Sequence, residues 1–445
     1  MSNNTLLLIW LAWLVIAIIL RTKTNFNLGI LLIAGAYVIG TFFVGITASK
    51  LISSLSTTIL FVFVSTSIFF GFLNVNGTMA VLAKKLIYAT RKMTWIIPLA
   101  FYVIAFLVST LGAGPISTCI IIPPVGYAIA MQAGFDPLLI SLGVASGAAV
   151  GNAMPWTSGH ATRTSFYEQL GVLEGEHLQI FSQETGWVMA VLFTVIFLLA
   201  YVALRGWRNQ GGSVDFSSMM EKPEDFNPKQ KQSLILMFIE IGLILVPMII
   251  NMIAPNPVTK WMATNMNIQM LCIVFCCIAF FMNLGDFKAV SGKVPWMTML
   301  QALGCSLYVT VAVQLGIADV VTKWLSGGLA PALIVALTFL ASGLISFFSG
   351  YYTIMPLFMA FIPSVCAATG TNMMAMAAAT YTGCMLTAIS PFSTCGAILM
   401  SGMTVLGEQK QDAMFMRQFY FTIIVMIVGT ILAATPIMTL FGATW

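Results

Sequence analysis

Charge is what this chain has least of. Only 7% of its 445 residues are Asp, Glu, Lys or Arg, against 59% that are hydrophobic. A soluble domain carries about 25% charged residues, because water must solvate its outside. That scarcity excludes an ordinary soluble domain and points to a surface made for hydrocarbon. Metal and redox signatures are missing too. There are two histidines, and the eight cysteines at 119, 272, 276, 277, 305, 366, 384 and 395 form no CxxC pair and have no histidine at zinc spacing. They read as small polarizable core residues, with no metal site and no cofactor expected. No GxxxxGK[ST] loop occurs, and Gly292-Lys293 lacks the glycine five residues earlier, which disfavours an ATP-driven pump. No small-residue cleavage site follows the apolar run Thr5 to Leu20, so that run reads as a retained span. The net charge of +5 is scattered through short connecting segments and is no nucleic-acid footprint.

Long apolar runs are abundant. A spanning helix needs roughly 20 apolar residues to cross about 30 Å. Ten candidates are Thr5 to Leu20, Leu28 to Thr47, Thr57 to Leu73, Pro137 to Gly171, Gly186 to Leu204, Ser233 to Ile253, Asn267 to Leu284, Pro295 to Gln314, Met373 to Thr404 and Arg417 to Phe441. Two more stretches, Ile96 to Met131 and Gly328 to Ala368, are too long for one span and carry polar, glycine-containing centres at Ser109 to Pro115 and Ser346 to Gly350. Arms of about 16 residues reach only ~24 Å as helix. Both stretches therefore read as re-entrant hairpins, a backbone form tolerated only where protein or a wet cavity surrounds it.

The second half repeats the first. With an offset of 236, Gly114 falls on Gly350, Gly134 on Gly370, Gly147 on Gly383, Pro155 on Pro391 and Ala161 on Ala397. With an offset of 239, Gly77 to Leu86 lies over Gly316 to Leu325. The expected fold is all-helical and polytopic: two repeats of five spans, each with one hairpin and one broken helix. Residues 1–204 form the first repeat (hairpin about 96–131, broken helix about 137–171), 205–232 a linker, and 233–445 the second (hairpin about 328–368, broken helix about 373–404). Five spans per repeat is odd, so the repeats should be inverted, a secondary-transporter design. Lysine and arginine orient the chain. With the N-terminus outside, 15 basic residues fall on the cytoplasmic side, and only Lys50, Lys260 and Lys323 fall outside. The linker is then cytoplasmic, both termini are outside, and the acidic loop with Glu174, Glu176 and Glu184 faces outward.

Chemistry is expected at the two breaks and the two hairpin tips. Gly151 to Arg163 interrupts an apolar helix with a proline and many polar groups, and Thr387 to Ala397 is its counterpart. A proline removes one backbone bond and turns its predecessor out of the helical region. Such a break frees carbonyls that suit a cation and presents amides that suit an anion. Two matched breaks, both dense in hydroxyls, argue against a simple proline kink. Arg163 is the one cation within a span, with His160 a turn before it. An intramembrane charge is a site candidate by default, and an arginine fork suits a carboxylate. The blander reading is an arginine that snorkels outward or pairs with Glu168, with His160 a packing residue. Glu240 could carry a proton but reads as interfacial, near the cytoplasmic end of its span. Tyr351 and Tyr352 gate or simply pack. Ser158 and His160 point to different faces of a helix, so a catalytic pair, and with it an intramembrane enzyme, is not expected.

The run Asn152 to Arg163, with Met154-Pro155-Trp156 and Ala161-Thr162-Arg163, resembles the signature of the citrate–divalent metal:proton symporters. The layout of the chain resembles the wider ion transporter superfamily, including divalent anion:sodium symporters and malonate and C4-dicarboxylate carriers. The resemblance implies a cation-coupled carrier of a small di- or tricarboxylate, usually a dimer, working by an elevator motion. By resemblance, Ser117, Thr118, Asn152, Thr157 and Ser158 form one ion- and substrate-binding half and Ser349, Thr353, Ser390, Ser393 and Thr394 the other. With His160 and Arg163 added from their place in the span, Asn152, Thr157, Ser158, His160, Arg163, Ser390, Ser393 and Thr394 are expected to bind substrate. Ser117, Thr118, Asn152, Ser349, Thr353 and Thr387 are expected to bind the cation. The tripeptide Thr157-Ser158-Gly159 and the tips Gly114 to Thr118 and Ser349 to Thr353 depart from the relatives' patterns. The acid and the ion, sodium or proton, with a substrate-bound divalent metal a further option, therefore stay open. So do an exchanger of another anion and an anion channel.

Overall fold

The computed structural model describes residues 3–442 apart from 25, 56, 90–96, 208–221, 255, 267, 293, 295, 326, 350, 392 and 402–407. Among the described residues there is no strand. In the first half the principal helices are α1 (Asn3–Thr24), α2 (Leu28–Ile39), α3 (Thr57–Val75), α4 (Thr78–Ala89), α5 (Ile97–Val108), α6 (Gly114–Ile121), α7 (Pro123–Ala133), α8 (Pro137–Asn152), α9 (Ser158–Tyr167) and α10 (Gly175–Ala203). The second half holds α11 (Pro228–Ile253), α12 (Ile268–Phe281), α13 (Trp296–Gln314), α14 (Ile317–Leu325), α15 (Pro331–Ser349), α16 (Tyr351–Met359), α17 (Ile362–Thr369), α18 (Met373–Leu386), α19 (Thr394–Ser401) and α20 (Glu408–Ala433). Among the described residues, four helices could cross a membrane by length and composition, or six if each of two bent pairs counts as one span. Six further apolar helices are shorter.

The bent pairs are α3–α4, at 68°, and α13–α14, at 76°. Each turns on a glycine with positive φ, Gly77 at +78° and Gly316 at +77°. That is left-handed backbone, where any side chain is strained. The two glycines lie 239 residues apart, the offset read from the sequence. At the other offset, 236, Asp136 and Asn372 are matching caps. Asp136 accepts from the Leu138 amide to start α8, and Asn372 from the Ala375 amide to start α18. Local structure thus follows the sequence repeat at several independent points.

Within each half the principal pairing has the same form. α5 packs on α8 where Gly147 and Gly151 leave no room for a Cβ against the Tyr102 and Phe106 carbonyls. α15 packs on α18 at Gly383, where a Cβ would lie 2.5 Å from the Phe339 carbonyl oxygen. In lipid there is no hydrophobic drive between helices, so close packing of small residues has to supply the attraction. Ser109 bridges the first pair, donating to the Ala148 carbonyl at 2.7 Å, and Ser346 the second, donating to the Cys384 carbonyl at 2.9 Å. The halves interlock: α2 lies on α13 through Gly29 and Gly304, and α3 lies on α12 through the Phe69–Phe275 ring contact. Trp10 and Tyr308 tie α1 to α13 with two reciprocal hydrogen bonds and a stack at 4.8 Å.

Ile97 to Ile121 is apolar enough for a 25-residue span, yet Gly112 (φ +100°) and Gly114 (φ +69°) break it, within the polar centre from Ser109 to Pro115 expected to turn the chain. A Cβ on Gly126 in α7 would meet Phe101 of α5 at 3.0 Å, so the chain returns alongside itself. Two expectations change. Of the acidic residues read as a loop, Glu174 stays outside the helix, but α10 starts at Gly175, so Glu176 and Glu184 lie within it. Glu176 in the first turn suits the helix dipole. Glu240, read as interfacial, is fully buried in α11 beside Cys272, whose thiol lies 3.4 Å from one carboxyl oxygen. The linker joins back near α4, where the Lys85 ammonium, 2.9 Å away, holds the Asp225 carboxyl below its usual range.

Candidate functional site

Both breaks are built by one device. At the first, α8 ends at Asn152 and α9 starts at Ser158. The Thr157 hydroxyl donates to the Asn152 carbonyl at 2.6 Å and the Met154 carbonyl at 2.7 Å, and accepts from the His160 amide at 3.3 Å. At the second, the Ser393 hydroxyl donates to the Ala388 carbonyl and, at 2.8 Å, to the Ser390 carbonyl. It accepts from the Gly396 amide at 3.0 Å. Thr157 and Ser393 are 236 residues apart, and each closes the same three bonds at i−5, i−3 and i+3. A single hydroxyl thus satisfies the carbonyls that the break frees and caps the next half-helix.

One further carbonyl in each break is also taken. Arg163 Nη2 donates to the Ala153 carbonyl at 3.2 Å, and Gln418 Nε2 of α20 to the Ile389 carbonyl at 2.6 Å. Arg163 is wholly buried and does not snorkel. Its Nε donates to the Ser182 carbonyl at 3.0 Å, its Nη1 to the Tyr381 hydroxyl at 3.1 Å, and its Nη2 lies 3.0 Å from His160 Nδ1. A guanidinium has no lone pair to offer, so His160 Nδ1 is the acceptor there. The ring is then the neutral tautomer with its proton on Nε2, which faces the Gln179 amide oxygen at 3.1 Å.

A cavity of about 340 Å³ lies between the breaks. Its wall takes Gly112 to Ser117 from the first hairpin tip, Asn152 and Ser158 from the first break, and Ala388, Ile389 and Ser393 from the second. Tyr351, Tyr352 and Tyr381 line it as well, with Tyr381 5.6 Å and Tyr352 4.9 Å from Tyr351, ring centre to ring centre. Among the described lining residues none is acidic, and Arg21 is the one formal charge.

Of the residues singled out in the sequence, Ser117, Asn152, Ser158 and Ser393 meet on this wall. Arg163, His160 and Thr157 stand behind it, engaged as described. Thr118 donates to the Gly114 carbonyl at 2.7 Å and Thr387 to the Cys384 carbonyl at 3.1 Å, each within its own helix. Ser390 is buried and gives its carbonyl to Ser393. The side chains of Ser349, Thr353 and Thr394 lie outside the described residues. Among the described residues, no group of three or more His, Cys, Asp or Glu could hold a metal.

Arg21, Gln301 and Tyr381 line the cavity although nothing in the sequence reading assigned them to it. Arg21 sits in the last turn of α1 and looks like any charge at a span end. Tyr381 had a signal: it is the only aromatic residue in α18, a helix otherwise of methionine, alanine, threonine and other smaller residues.

Residues 3–152 match the family model described as the N-terminus of the dicarboxylate carrier protein MatC, which ends where α8 ends. No curated protein matches the chain in sequence. Among solved structures, the chain is similar to the YdaH transporter of Alcanivorax borkumensis, described as having an unusual topology. The two share 13% identity over 90% of each chain, with a TM-score of 0.59. At that identity the likeness shows the fold. Both findings agree with the resemblance drawn from Asn152 to Arg163 and from the layout, and together they support a multi-pass membrane transporter.

Proposed function

We propose that the chain is a secondary active transporter that carries a small di- or tricarboxylate, coupled to a cation, through the cavity between its two breaks. The observation that carries this reading is the wall itself. Hydroxyls, two asparagines, a glutamine, three tyrosines and one arginine face the space, with no carboxylate among the described lining residues. Such a lining offers donors to an anion and no competing negative charge. The family model over residues 3–152 favours a dicarboxylate.

Asn152 and Ser158 are the substrate contacts, Ser393 borders them while its hydroxyl holds the second break, and Ser117 with Asn152 forms the cation side. Ser349, Thr353 and Thr394 complete the set by the sequence repeat. Thr118, Thr157, Thr387 and Ser390 hold the backbone around them. A dianion entering a negative-inside cell works uphill by about 2.3 kcal/mol per charge at 100 mV, so accumulation needs co-transported cations. Sodium is the proposed ion. His160 is held neutral by Arg163 and Gln179, which leaves it poorly placed to relay protons. Hydroxyl and amide oxygens remain, and these suit a hard cation.

The rest of the proposal follows the layout. The repeats are inverted, both termini face outward in the inner membrane, and a homodimer moves its cavity by an elevator motion. A proton-coupled carrier is the second reading, favoured by Glu240, a buried carboxyl whose second oxygen has no partner among the described residues. Uptake of labelled malonate, succinate and citrate into proteoliposomes decides between them. Replacing sodium by choline at fixed pH is to abolish accumulation. Uptake indifferent to sodium that follows an imposed proton gradient, and is lost in Glu240→Gln, contradicts the sodium reading.

A further inference from the structure

Arg163 is a second guanidinium beside the cavity, behind its wall, yet unlike Arg21 it does not reach the space. Three backbone and side-chain acceptors hold the guanidinium behind the wall, at Ser182, Ala153 and His160. The fourth bond goes to the hydroxyl of Tyr381, which does line the cavity. The guanidinium carbon also lies 4.9 Å over the Tyr381 ring. A phenol that accepts a hydrogen bond from a cation still holds its own proton, and among the described residues that proton has no acceptor. Two effects then act in the same direction. The cation draws electron density from the phenol oxygen, and its position over the ring face draws density from the ring. Both make the O–H a stronger donor. The wall around it is closed by the Tyr351 ring and holds no acidic group, so the space in front of the hydroxyl favours an anionic acceptor.

We propose that the Tyr381 hydroxyl binds one carboxylate group of the substrate, and that Arg163 is a positioning residue that acts on the anion only through Tyr381. The inference rests on the carrier reading above and assigns its selectivity for charge. A buried arginine in direct contact would hold a dianion in a charged pair that leaves slowly. Contact through a polarised phenol keeps the attraction while the ion pair itself is never formed.

The test is transport kinetics in proteoliposomes with succinate and its monoamide, succinamate. Tyr381→Phe keeps the ring under the guanidinium and removes only the hydroxyl. It is to raise KM for succinate roughly tenfold or more, as expected for a lost charge-assisted hydrogen bond, with the maximal rate little changed. The preference for succinate over succinamate is to fall with it, which a merely structural defect would not bring about. Placing 3-fluorotyrosine at 381 keeps the shape, strengthens the donor, and is to lower KM, so the idea stays testable if Tyr381→Phe folds poorly. The effect of Arg163→Lys on KM is to shrink when Tyr381→Phe is already present, because the two act in series. A wild-type succinate KM and an unchanged succinate preference in Tyr381→Phe overturn the assignment while leaving the carrier intact. A wild-type protein that moves neither succinate, malonate nor citrate overturns the carrier reading itself.

Discussion

Thr157 and Ser393 show how one hydroxyl can hold a broken helix in place. Each shares its one proton between two carbonyls and accepts from one amide, so replacing it leaves the i−5 carbonyl and the i+3 amide without that partner. Thr157→Val and Ser393→Ala are each expected to cost about 0.5–2 kcal/mol, the range for a lost N-cap. Thermal unfolding of the purified protein measures this, and Thr157→Ser should restore most of the loss. Arg163 behaves differently from what its sequence position suggests. As a substrate ligand, its replacement by lysine would leave folding near normal. Four bonds in four directions predict otherwise. A lysine ammonium cannot span them, and each stranded buried acceptor costs about 1–3 kcal/mol. Arg163→Lys should therefore unfold at a clearly lower temperature than the wild type. Equal melting of the two would return Arg163 to the substrate side of the wall.

At the scale of elements, the sequence repeat carried furthest. At offsets of 236 and 239 the structure repeats glycines with left-handed backbone and breaks that the sequence pairs, because left-handed backbone favours glycine. It adds a pair of caps, Asp136 and Asn372, that the sequence pairing does not single out. Gly77→Ala and Gly316→Ala are predicted to be alike in cost, about 1–2 kcal/mol each, since both sit at one equivalent bend. Strongly unequal melting of the two variants would separate the bends. Ends of helices were less legible. Glu176 and Glu184 looked like loop residues because hydropathy alone marks a span and says nothing of a polar helical turn beyond it. Glu240 looked interfacial because burial there comes from α12 packing against α11, a contact between segments that no local pattern records. The wall of the cavity divided along the same line. Residues inside the breaks, Asn152, Ser158 and Ser393, were readable from the local polar density. Arg21, Gln301 and Tyr381 arrive from distant helices and carried little local mark.

For the whole molecule, the distribution of lysine and arginine sets the expected orientation. Cysteines introduced at Gly212 and Gly175 of a cysteine-free form should label from opposite sides of the membrane in intact cells. Equal access of an impermeant reagent to both would contradict the proposed topology. The interlocking of α2 with α13 and of α3 with α12 joins the halves into one body. Each hairpin meets the other half's broken helix, α6 against α19 and α16 against α9. The cavity therefore belongs to both halves at once. Ser146 lines that cavity from α8 and is a small residue that accepts a cysteine. The most direct measurement is exchange of labelled malonate, succinate or citrate into proteoliposomes loaded with the unlabelled acid, using Ser146→Cys before and after reaction with a methanethiosulfonate reagent. Exchange is to be accelerated by internal acid and lost after modification, and the modification is to be slowed by the transported acid. Exchange that continues at the same rate with position 146 fully modified would place the path of the substrate elsewhere.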